Sequence, residues 1–257
     1  KEALDYWMPV DWYNGGMEHV TRHLIYSRFW HKFLYDIGAV TTSEPYAKRT
    51  AQGLILGPDG VKMSKSRGNV VDPNDVVDEY GADVLRVYVL FMGDYEQAAP
   101  WSESSLKGCK RFLDRIWNMQ DILVDGDSFS KELSAPLHRT IKKVSEDIEA
   151  LKFNTAIASM MAFVNNVYEK GSINKAELKA LITILNPFAP HMTEEMYQNV
   201  FGGILSEQAW AEYDEALCIE ETVEVVVQIN GKVRAKMNIP ADMGQDDMIK
   251  AALENET

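Results

Sequence analysis

The stretch Gly57-Pro58-Asp59-Gly60-Val61-Lys62-Met63-Ser64-Lys65-Ser66-Arg67-Gly68-Asn69 decides how the rest of the chain can be interpreted. Pro58-Asp59-Gly60 is a turn sequence between two short apolar runs, residues 54–56 and residues 61–63, which predicts a hairpin. The hairpin leads into a loop that holds two lysines, an arginine, two serine hydroxyls and a glycine. Such a loop can bind an anion such as a polyphosphate, although a basic turn can also simply be solvated.

A strand followed by a glycine pair lies upstream of this loop. Val10-Asp11-Trp12-Tyr13 predicts a short strand that runs into Asn14-Gly15-Gly16. Apolar residues then recur with helical spacing until Gly38, at positions Leu24, Ile25, Phe29, Trp30, Phe33, Leu34 and Ile37. We therefore predict a strand, a glycine pair and a buried helix, which is half of a mononucleotide-binding unit with the helix N-terminus offered to a ligand.

The residues around the glycine pair suit a substrate pocket. Glu18 can accept two hydroxyl groups as a ribose presents them, and Gly15 and Gly16 allow a ligand to come close. His19 and His23 are spaced to share one face of a helix. Three interpretations of these histidines stay open: a polar substrate pocket, satisfied core histidines, or a metal site, for which the sequence offers no third ligand.

Both stretches resemble one enzyme family. Lys62-Met63-Ser64-Lys65-Ser66 is the KMSKS pentapeptide of class I aminoacyl-tRNA synthetases. The block Tyr13-Asn14-Gly15-Gly16-Met17-Glu18-His19, followed by His23-Leu24-Ile25-Tyr26-Ser27-Arg28-Phe29, resembles that of the bacterial leucyl-tRNA synthetases. The valyl, isoleucyl and methionyl enzymes have a looser G-x-D version here. The resemblance implies an enzyme that ligates leucine to its tRNA, using ATP and passing through leucyl-adenylate.

The resemblance also implies roles for single residues. Lys65, helped by Lys62, would neutralise charge on the phosphates of ATP as catalytic residues, with Mg²⁺ assisting. The other implied ATP-binding residues are Gly15, Gly16, Glu18, Met63, Ser64 and Ser66. Tyr13, His19 and His23 would line the leucine side of the pocket. No side chain of this chain is expected to bind a metal.

From Gly93 to Pro100 the pattern changes, and beyond it the chain is steadily helical. Apolar residues at spacings of three and four predict four helices joined by short links, and Thr193-Glu194-Glu195 is predicted to begin a fifth after a break, which together describe an antiparallel bundle. Before this boundary, Asp72 with Pro73 predicts a capped helix, and Asp83 is predicted to cap the apolar helix that follows it. The segment Asn186-Pro187-Phe188-Ala189-Pro190-His191 resembles a corner of class I anticodon-binding bundles, and His191 is interpreted there as a capping or packing residue.

Basic residues form stripes on this otherwise acidic chain. One lies on the first bundle helix and another on the second. Near the C-terminus, Asn230-Gly231 between two alternating segments predicts a hairpin whose second strand carries three cations on one face. We predict contacts to the tRNA backbone from Lys107, Arg111, Arg115, Arg139, Lys142, Lys232, Arg234 and Lys236. A merely solvated helix face is an equally open interpretation of the spacing.

Composition limits the remaining possibilities. The chain has 257 residues and a net charge of −13, which argues against indiscriminate binding of nucleic acid over the whole surface. Its two cysteines are far apart, and no apolar run is long enough for a membrane span, so we expect a cytoplasmic chain without disulfides. The fold class we predict is α/β, the second half of a Rossmann-type catalytic domain over residues 1–95. A helical anticodon-binding type of bundle over 96–215 and a partial α+β tRNA-binding domain over 222–257 would follow.

The sequence begins with Lys1 and contains no H-I-G-H motif, the partner of the KMSKS loop in this family. We therefore expect a fragment that is inactive alone, with the N-terminal catalytic half of the same polypeptide as its missing partner, and a monomer that binds leucine and leucine tRNA. Alternatives are a non-catalytic tRNA-binding module, a synthetase of this class for valine, isoleucine or methionine, and a protein with a chance pentapeptide.

Overall fold

The structure, a computed structural model, describes residues 2–218, 222–229, 232–240 and 243–253. Its first part alternates helices with strands: α1 (Glu2–Trp7), β1 (Val10–Gly16), α2 (His23–Asp36), β2 (Tyr46–Gln52), β3 (Ile55–Leu56), α3 (Pro73–Tyr80), α4 (Ala82–Phe91) and β4 (Ala99–Pro100). Strands β1 and β2 pair in parallel, with Val10 opposite Tyr46, and α2 lies between them in the chain. These elements form a βαβ unit in which the predicted strand and helix are confirmed.

Helix α2 differs from its prediction in two respects. It begins at His23 rather than beside the glycine pair, because Met17–Thr21 form a separate 3₁₀ helix and Arg22 breaks the backbone with φ −124° and ψ −102°. It is also not a buried helix, since Leu24 and His31 are its buried residues, whereas Phe29 is 76% exposed and Trp30 60% exposed. The described part of the chain therefore leaves most of the apolar face of α2 open to solvent.

The predicted hairpin before the basic loop is present in a short form. Leu56 and Lys62 form one antiparallel bridge, the Gly57 amide donates to the Val61 carbonyl at 2.8 Å, and β3 also pairs in parallel with β4. The predicted cap of α4 was wrong. Asp83 does not cap α4, whose N-cap is Gly81, and its carboxylate contacts a helix of the bundle instead. The cap of α3 is as predicted, because the Asp72 carboxylate accepts a hydrogen bond from the Asn74 amide at 2.9 Å.

The second part is the predicted helical bundle. Its helices are α5 (Glu103–Trp117), α6 (Lys131–Glu149), α7 (Phe153–Lys170), α8 (Lys175–Leu185) and α9 (Pro190–Val200), with β5 (Leu123–Val124) paired to β6 (Ile173–Asn174). Their apolar faces meet in one buried cluster, which also includes Val84, Val87 and Tyr88 of α4. The bundle core therefore extends into the part of the chain that carries the basic loop.

The last described elements are the antiparallel strands β7 (Thr222–Ile229) and β8 (Lys232–Pro240), followed by α10 (Gln245–Leu253). The strands and the helix are as predicted, while the Asn230-Gly231 turn lies outside the described residues. Over the ranges given above, no helix has both the length and the apolar character needed to cross a membrane.

Candidate active site

The end of β1 carries the first group of predicted site residues. The Glu18 carboxylate folds back over Gly16 so closely that a Cβ atom at Gly16 would collide with both carboxylate oxygens. A side chain at this position would therefore push the Glu18 carboxylate out of its present place. The carboxylate itself accepts no hydrogen bond from any other described residue, and the residue is exposed. Two acceptor oxygens are thus available to a ligand at the end of the strand.

Tyr13, His19 and His23 form a cluster of side chains at the same end of β1. The Tyr13 hydroxyl is 3.0 Å from Nδ1 of His23, and the two rings are stacked with centroids 5.6 Å apart. The His19 ring meets the His23 ring edge-on at 6.4 Å. The two histidines come together across the break at Arg22, not along one face of a helix. We call Tyr13, Gly15, Gly16, Glu18, His19 and His23 the glycine–histidine site.

One atom of this site lacks a partner. Nδ1 of His19 is buried, and no hydrogen-bond partner for it exists among the described residues. Buried polar atoms in folded proteins nearly always have a partner, so this nitrogen marks a place where a ligand or another part of a protein belongs. In contrast, the Tyr13 hydroxyl and His23 Nδ1 already satisfy each other.

Tyr46 is a neighbour of this site that sequence reasoning missed. Its ring centroid lies 4.7 Å from that of Tyr13 and 6.5 Å from that of His23. It is the first residue of β2, which the sequence analysis did not identify as a strand because its residues are mostly polar. The sequence of β2 carries no strand signal of its own, and the remaining indication is that β1, as a parallel strand, needs a partner further along the chain.

The loop that contains Lys62, Met63, Ser64, Lys65 and Ser66, called here the lysine loop, forms a second group. Its backbone is held by Asn69, whose Oδ1 accepts the Ser64 amide at 2.8 Å and whose Nδ2 donates to both carboxylate oxygens of Asp59 at 3.2 Å. Hydrogen bonds from the Val61 amide and from Asn69 lower the pKa of Asp59. The turn predicted at Pro58-Asp59-Gly60 is thereby tied to the far end of the loop.

The two lysine side chains of this loop have no ion-pair partner in the described ranges, and both are exposed. Arg67, which follows the loop, is also exposed and lies close enough to Asp59 to help lower the pKa of that carboxyl. The two hydroxyls of Ser64 and Ser66 lie 2.8 Å apart, and Gly68 ends the loop at φ 67°, a conformation that favours glycine. An ordered backbone with unpaired cations is suited to bind a polyanion.

The structure groups the predicted site residues but does not join the groups by direct contact. No hydrogen bond, ion pair or ring contact between described residues links the lysine loop to the glycine–histidine site. The same ranges contain no group of three histidine, cysteine, aspartate or glutamate residues placed to hold a metal ion. A ligand that spans both groups would therefore have to contribute its own contacts to each.

The predicted tRNA-contact residues differ in how free they are. Arg115 donates to Asn165 at 2.8 Å and stacks on the Tyr168 ring, and Lys142 pairs with Glu215. Lys107 and Arg111 are exposed on α5 and have no ion-pair partner among the described residues. Arg139 and Lys236 each have an interaction within the chain. Arg234 and Lys236 are exposed on β8, whereas the side chain of Lys232 lies outside what the structure describes.

Two family models match the chain. Residues 2–102 match the family described as tRNA synthetases class I (I, L, M and V), and residues 130–249 match the anticodon-binding domain of tRNA ligase. The first match contains both the glycine–histidine site and the lysine loop. The second contains most of the bundle and both strands of the last hairpin.

Individual proteins agree with these models. The leucine–tRNA ligase of Alkaliphilus oremlandii (strain OhILAs) is 57% identical over 249 residues, which are 96% of this chain and 31% of the relative. The solved ternary complex of Agrobacterium radiobacter K84 agnB2 LeuRS, tRNA and LeuAMS has a TM-score of 0.76 at 34% identity, covering 96% of this chain and 35% of that one.

A more distant likeness concerns the fold alone. Mycobacterium tuberculosis methionyl-tRNA synthetase, solved with methionyl-adenylate, has a TM-score of 0.56 at 17% identity over 77% of this chain and 45% of its own. The chain thus spans about a third of the length of its leucyl relatives. By its two motifs and these comparisons, the chain belongs to the class I aminoacyl-tRNA synthetases, as a homologue of part of a leucine–tRNA ligase.

Proposed function

We propose that this chain is the part of a leucine–tRNA ligase that carries the KMSKS loop and the anticodon-binding bundle. In the proposed reaction, the leucine carboxylate attacks the α-phosphorus of ATP and pyrophosphate leaves, giving leucyl-adenylate. A hydroxyl of the terminal adenosine of the tRNA then attacks the leucyl carbonyl carbon, and AMP leaves. Positioning and charge neutralisation would supply most of the catalysis in both steps.

The observation that carries this proposal is the state of the lysine loop. Its backbone is fixed through Asn69, yet Lys62 and Lys65 are exposed and have no ion-pair partner in the described ranges. Such cations can neutralise the charge that develops on the β- and γ-phosphates as pyrophosphate leaves. Backbone near Met63, with the hydroxyls of Ser64 and Ser66, would complete the ATP contact.

The glycine–histidine site supports the other half of the assignment. The Glu18 carboxylate is free to accept both ribose hydroxyls beside Gly15 and Gly16. The orphaned Nδ1 of His19 lies next to the paired Tyr13 and His23, so we assign these three side chains to the leucine side of the pocket. Mg²⁺ is proposed to bind together with ATP, as a counterion of its phosphates.

The missing partner is proposed from the surface of the first part. Among the described strands, β1 pairs with β2 alone. Parallel sheets in proteins normally have more strands and are covered on both faces, so this pair looks like part of a larger sheet. The apolar face of α2 is open at Phe29 and Trp30, and α1 exposes Tyr6 and Trp7. We propose that the N-terminal half of the catalytic domain extends this sheet and covers these residues, so the chain alone does not activate leucine.

The tRNA is the second macromolecular partner of the proposal. Lys107 and Arg111 share one face of α5 and have no ion-pair partner among the described residues, and the same holds for the exposed Arg234 of β8. Contacts are also proposed for residues that already have an interaction within the chain, Arg115, Arg139, Lys142 and Lys236, and for Lys232 from its place in the sequence. Their contribution would be affinity for the backbone and not recognition of sequence. The boundaries at residues 95 and 215, a monomeric state and a cytoplasmic location belong to the same proposal.

One observation favours a second function, a tRNA-binding module without catalysis. The bundle has a complete buried core, whereas the first part of the chain, which is the proposed catalytic part (residues 1–95), leaves an apolar helix face open. A gel-shift titration of this chain with leucine tRNA tests this second function. No binding at any concentration would rule out the module, whereas binding is expected of both functions, which ATP–pyrophosphate exchange by the full-length protein then separates.

The enzymatic proposal is tested by ATP–pyrophosphate exchange with the full-length protein to which this chain belongs. Exchange should depend on leucine and not on valine, isoleucine or methionine. Lys65→Ala should lower kcat by about two orders of magnitude, as expected when one charge-stabilising group of a transition state is lost. The matched control Lys131→Ala removes an exposed lysine of α6 and should leave the rate unchanged. Exchange driven by one of the other three amino acids would reassign the enzyme.

A further inference from the structure

Helix α4 places two charged side chains against the turn between α8 and α9, residues 186–192, called here the corner of the bundle. Asp83 accepts hydrogen bonds from the Met192 amide at 2.7 Å and from the His191 amide at 3.4 Å, and it pairs with Nδ1 of His191 at 2.7 Å. Arg86 donates to the carbonyl of Pro187 at 2.7 Å and to that of Phe188 at 3.3 Å. These contacts join residues more than a hundred positions apart.

The two charges match the electrostatics of the corner. Asp83 lies at the N-terminus of α9, where free amides and the helix dipole favour a negative group. Arg86 lies just past the end of α8, where free carbonyls favour a positive group. Asp83 is 8% exposed, and Phe188 and Ala189 at the centre of the corner are buried. Helix α4, which precedes the bundle, therefore places a positive charge at the end of α8 and a negative charge at the start of α9.

The same helix is joined to the lysine loop. Val84 of α4 and Val76 of α3 belong to the bundle's buried cluster, and Met63 of the lysine loop packs against that cluster, as does Val71 beyond it. The Tyr88 hydroxyl of α4 also accepts the Ser102 amide, at the start of α5, at 2.7 Å. A rotation of the corner relative to α4 would therefore displace the bundle relative to the lysine loop.

We propose that Asp83 and Arg86 are positioning residues that fix the bundle relative to the lysine loop. The proposal rests on the function proposed above, in which the bundle carries the tRNA and the loop serves ATP. Forming the adenylate requires the loop and ATP but not the bundle. Transfer requires that a tRNA held on the bundle deliver its terminal adenosine to the adenylate. Loosening the corner should therefore impair transfer and spare activation.

The test compares two rates in the full-length protein. Arg86→Met removes the donors to both carbonyls, and Asp83→Asn removes the charge at the end of α9. In each variant, leucine-dependent pyrophosphate exchange should stay within about twofold of wild type, whereas kcat for tRNA charging should fall by about tenfold, a change of about 1.4 kcal/mol in the barrier. Arg86→Lys, which keeps one donor and the charge, should recover part of the loss.

A control separates positioning from stability. Lys170→Met breaks the contacts of Lys170 with Ser130 and Glu177 inside the bundle and leaves the corner intact. Its thermal midpoint should fall while the ratio of the two rates stays that of wild type. If Arg86→Met does not fold, Arg86→Gln takes its place. Three outcomes would overturn the proposal: an equal loss of both rates, no loss of either rate, or a selective loss of tRNA charging in Lys170→Met as well. A wild-type protein that shows no leucine-dependent exchange would instead contradict the proposed function.

Discussion

Helices α2 and α8 both carry large apolar residues at helical spacing but lie in different surroundings. In α8, eight residues are buried, including Leu178, Leu181 and Leu185, because α6 and α9 pack against it. In α2, the buried residues are Leu24 and His31, and the large side chains between them face solvent. The bundle therefore has its core within the described chain, whereas the first part exposes an apolar surface that, in the proposed function, the rest of a catalytic domain would cover.

The largest expected effect tests this difference directly. Leu137 of α6 is fully buried, so Leu137→Ala should lower the free energy of unfolding by about 2–5 kcal/mol through lost burial and a cavity. Phe29 of α2 is 76% exposed, and Phe29→Ala should change it by no more than about 0.5 kcal/mol. Urea unfolding of this chain measures both. A comparable loss in the two variants would mean that the face of α2 is already covered.

A buried carboxylate of the bundle gives the next effect. Glu177 is fully buried and accepts hydrogen bonds from the amides of Ser130 and Asn174, at 2.7 and 2.9 Å. Glu177→Gln places an NH₂ group against one of these donors, which should cost about 1–3 kcal/mol in the free energy of unfolding.

The matched substitution in the catalytic part is Glu44→Gln, because Glu44 bridges Arg28 and Lys32 at the surface. Exposed ion pairs contribute little to stability, so this variant should unfold like wild type in urea. If Glu44→Gln were the more destabilising of the two, the contrast between the regions would be wrong.

Sequence patterns were sufficient where the partners of a helix lie in the same chain. Four bundle helices, α5 to α8, were predicted from apolar spacing because they bury those faces against each other and against α9. The same spacing predicted a buried α2, which was wrong because periodicity shows that a face is apolar and not that something covers it. Strand β2 was missed since charged residues occupy it, and its pairing with β1 is not encoded in its own hydrophobicity.

The candidate site was predictable in part for a similar reason. Motif letters identified Tyr13, His19 and His23 as one group, and the structure brings them together. They could not show that Arg22 breaks the helix, nor that Tyr46 packs on the group from another strand. Asp83 was expected to cap its own helix because a sequence shows only which residues are close along the chain. Its hydrogen bonds to His191 and Met192 join residues that are distant in the sequence.

The smallest effect concerns the titration of Glu44. Hydrogen bonds from Arg28 and Lys32 lower the pKa of this carboxyl from an ordinary 4.5 to about 2. Because the folded pKa is the lower one, any stabilisation from the charged form is complete above pH 4.5 and is lost as the pH falls through 2. NMR titration of the Glu44 side chain should show this low value, and Arg28→Met should raise it. A titration near 4.5 in the unaltered chain would show that the bridge does not form in solution.

Hydrogen–deuterium exchange tests the central claim most directly, that the first part of this chain is an incomplete catalytic half beside a complete bundle. Exchange is measured for the same residues in this chain alone and within the full-length protein. The account predicts that α7 is strongly protected in both, whereas β1 and α2 exchange rapidly in this chain and become protected in the longer protein. Equal protection of β1 and α2 in the two proteins would contradict it.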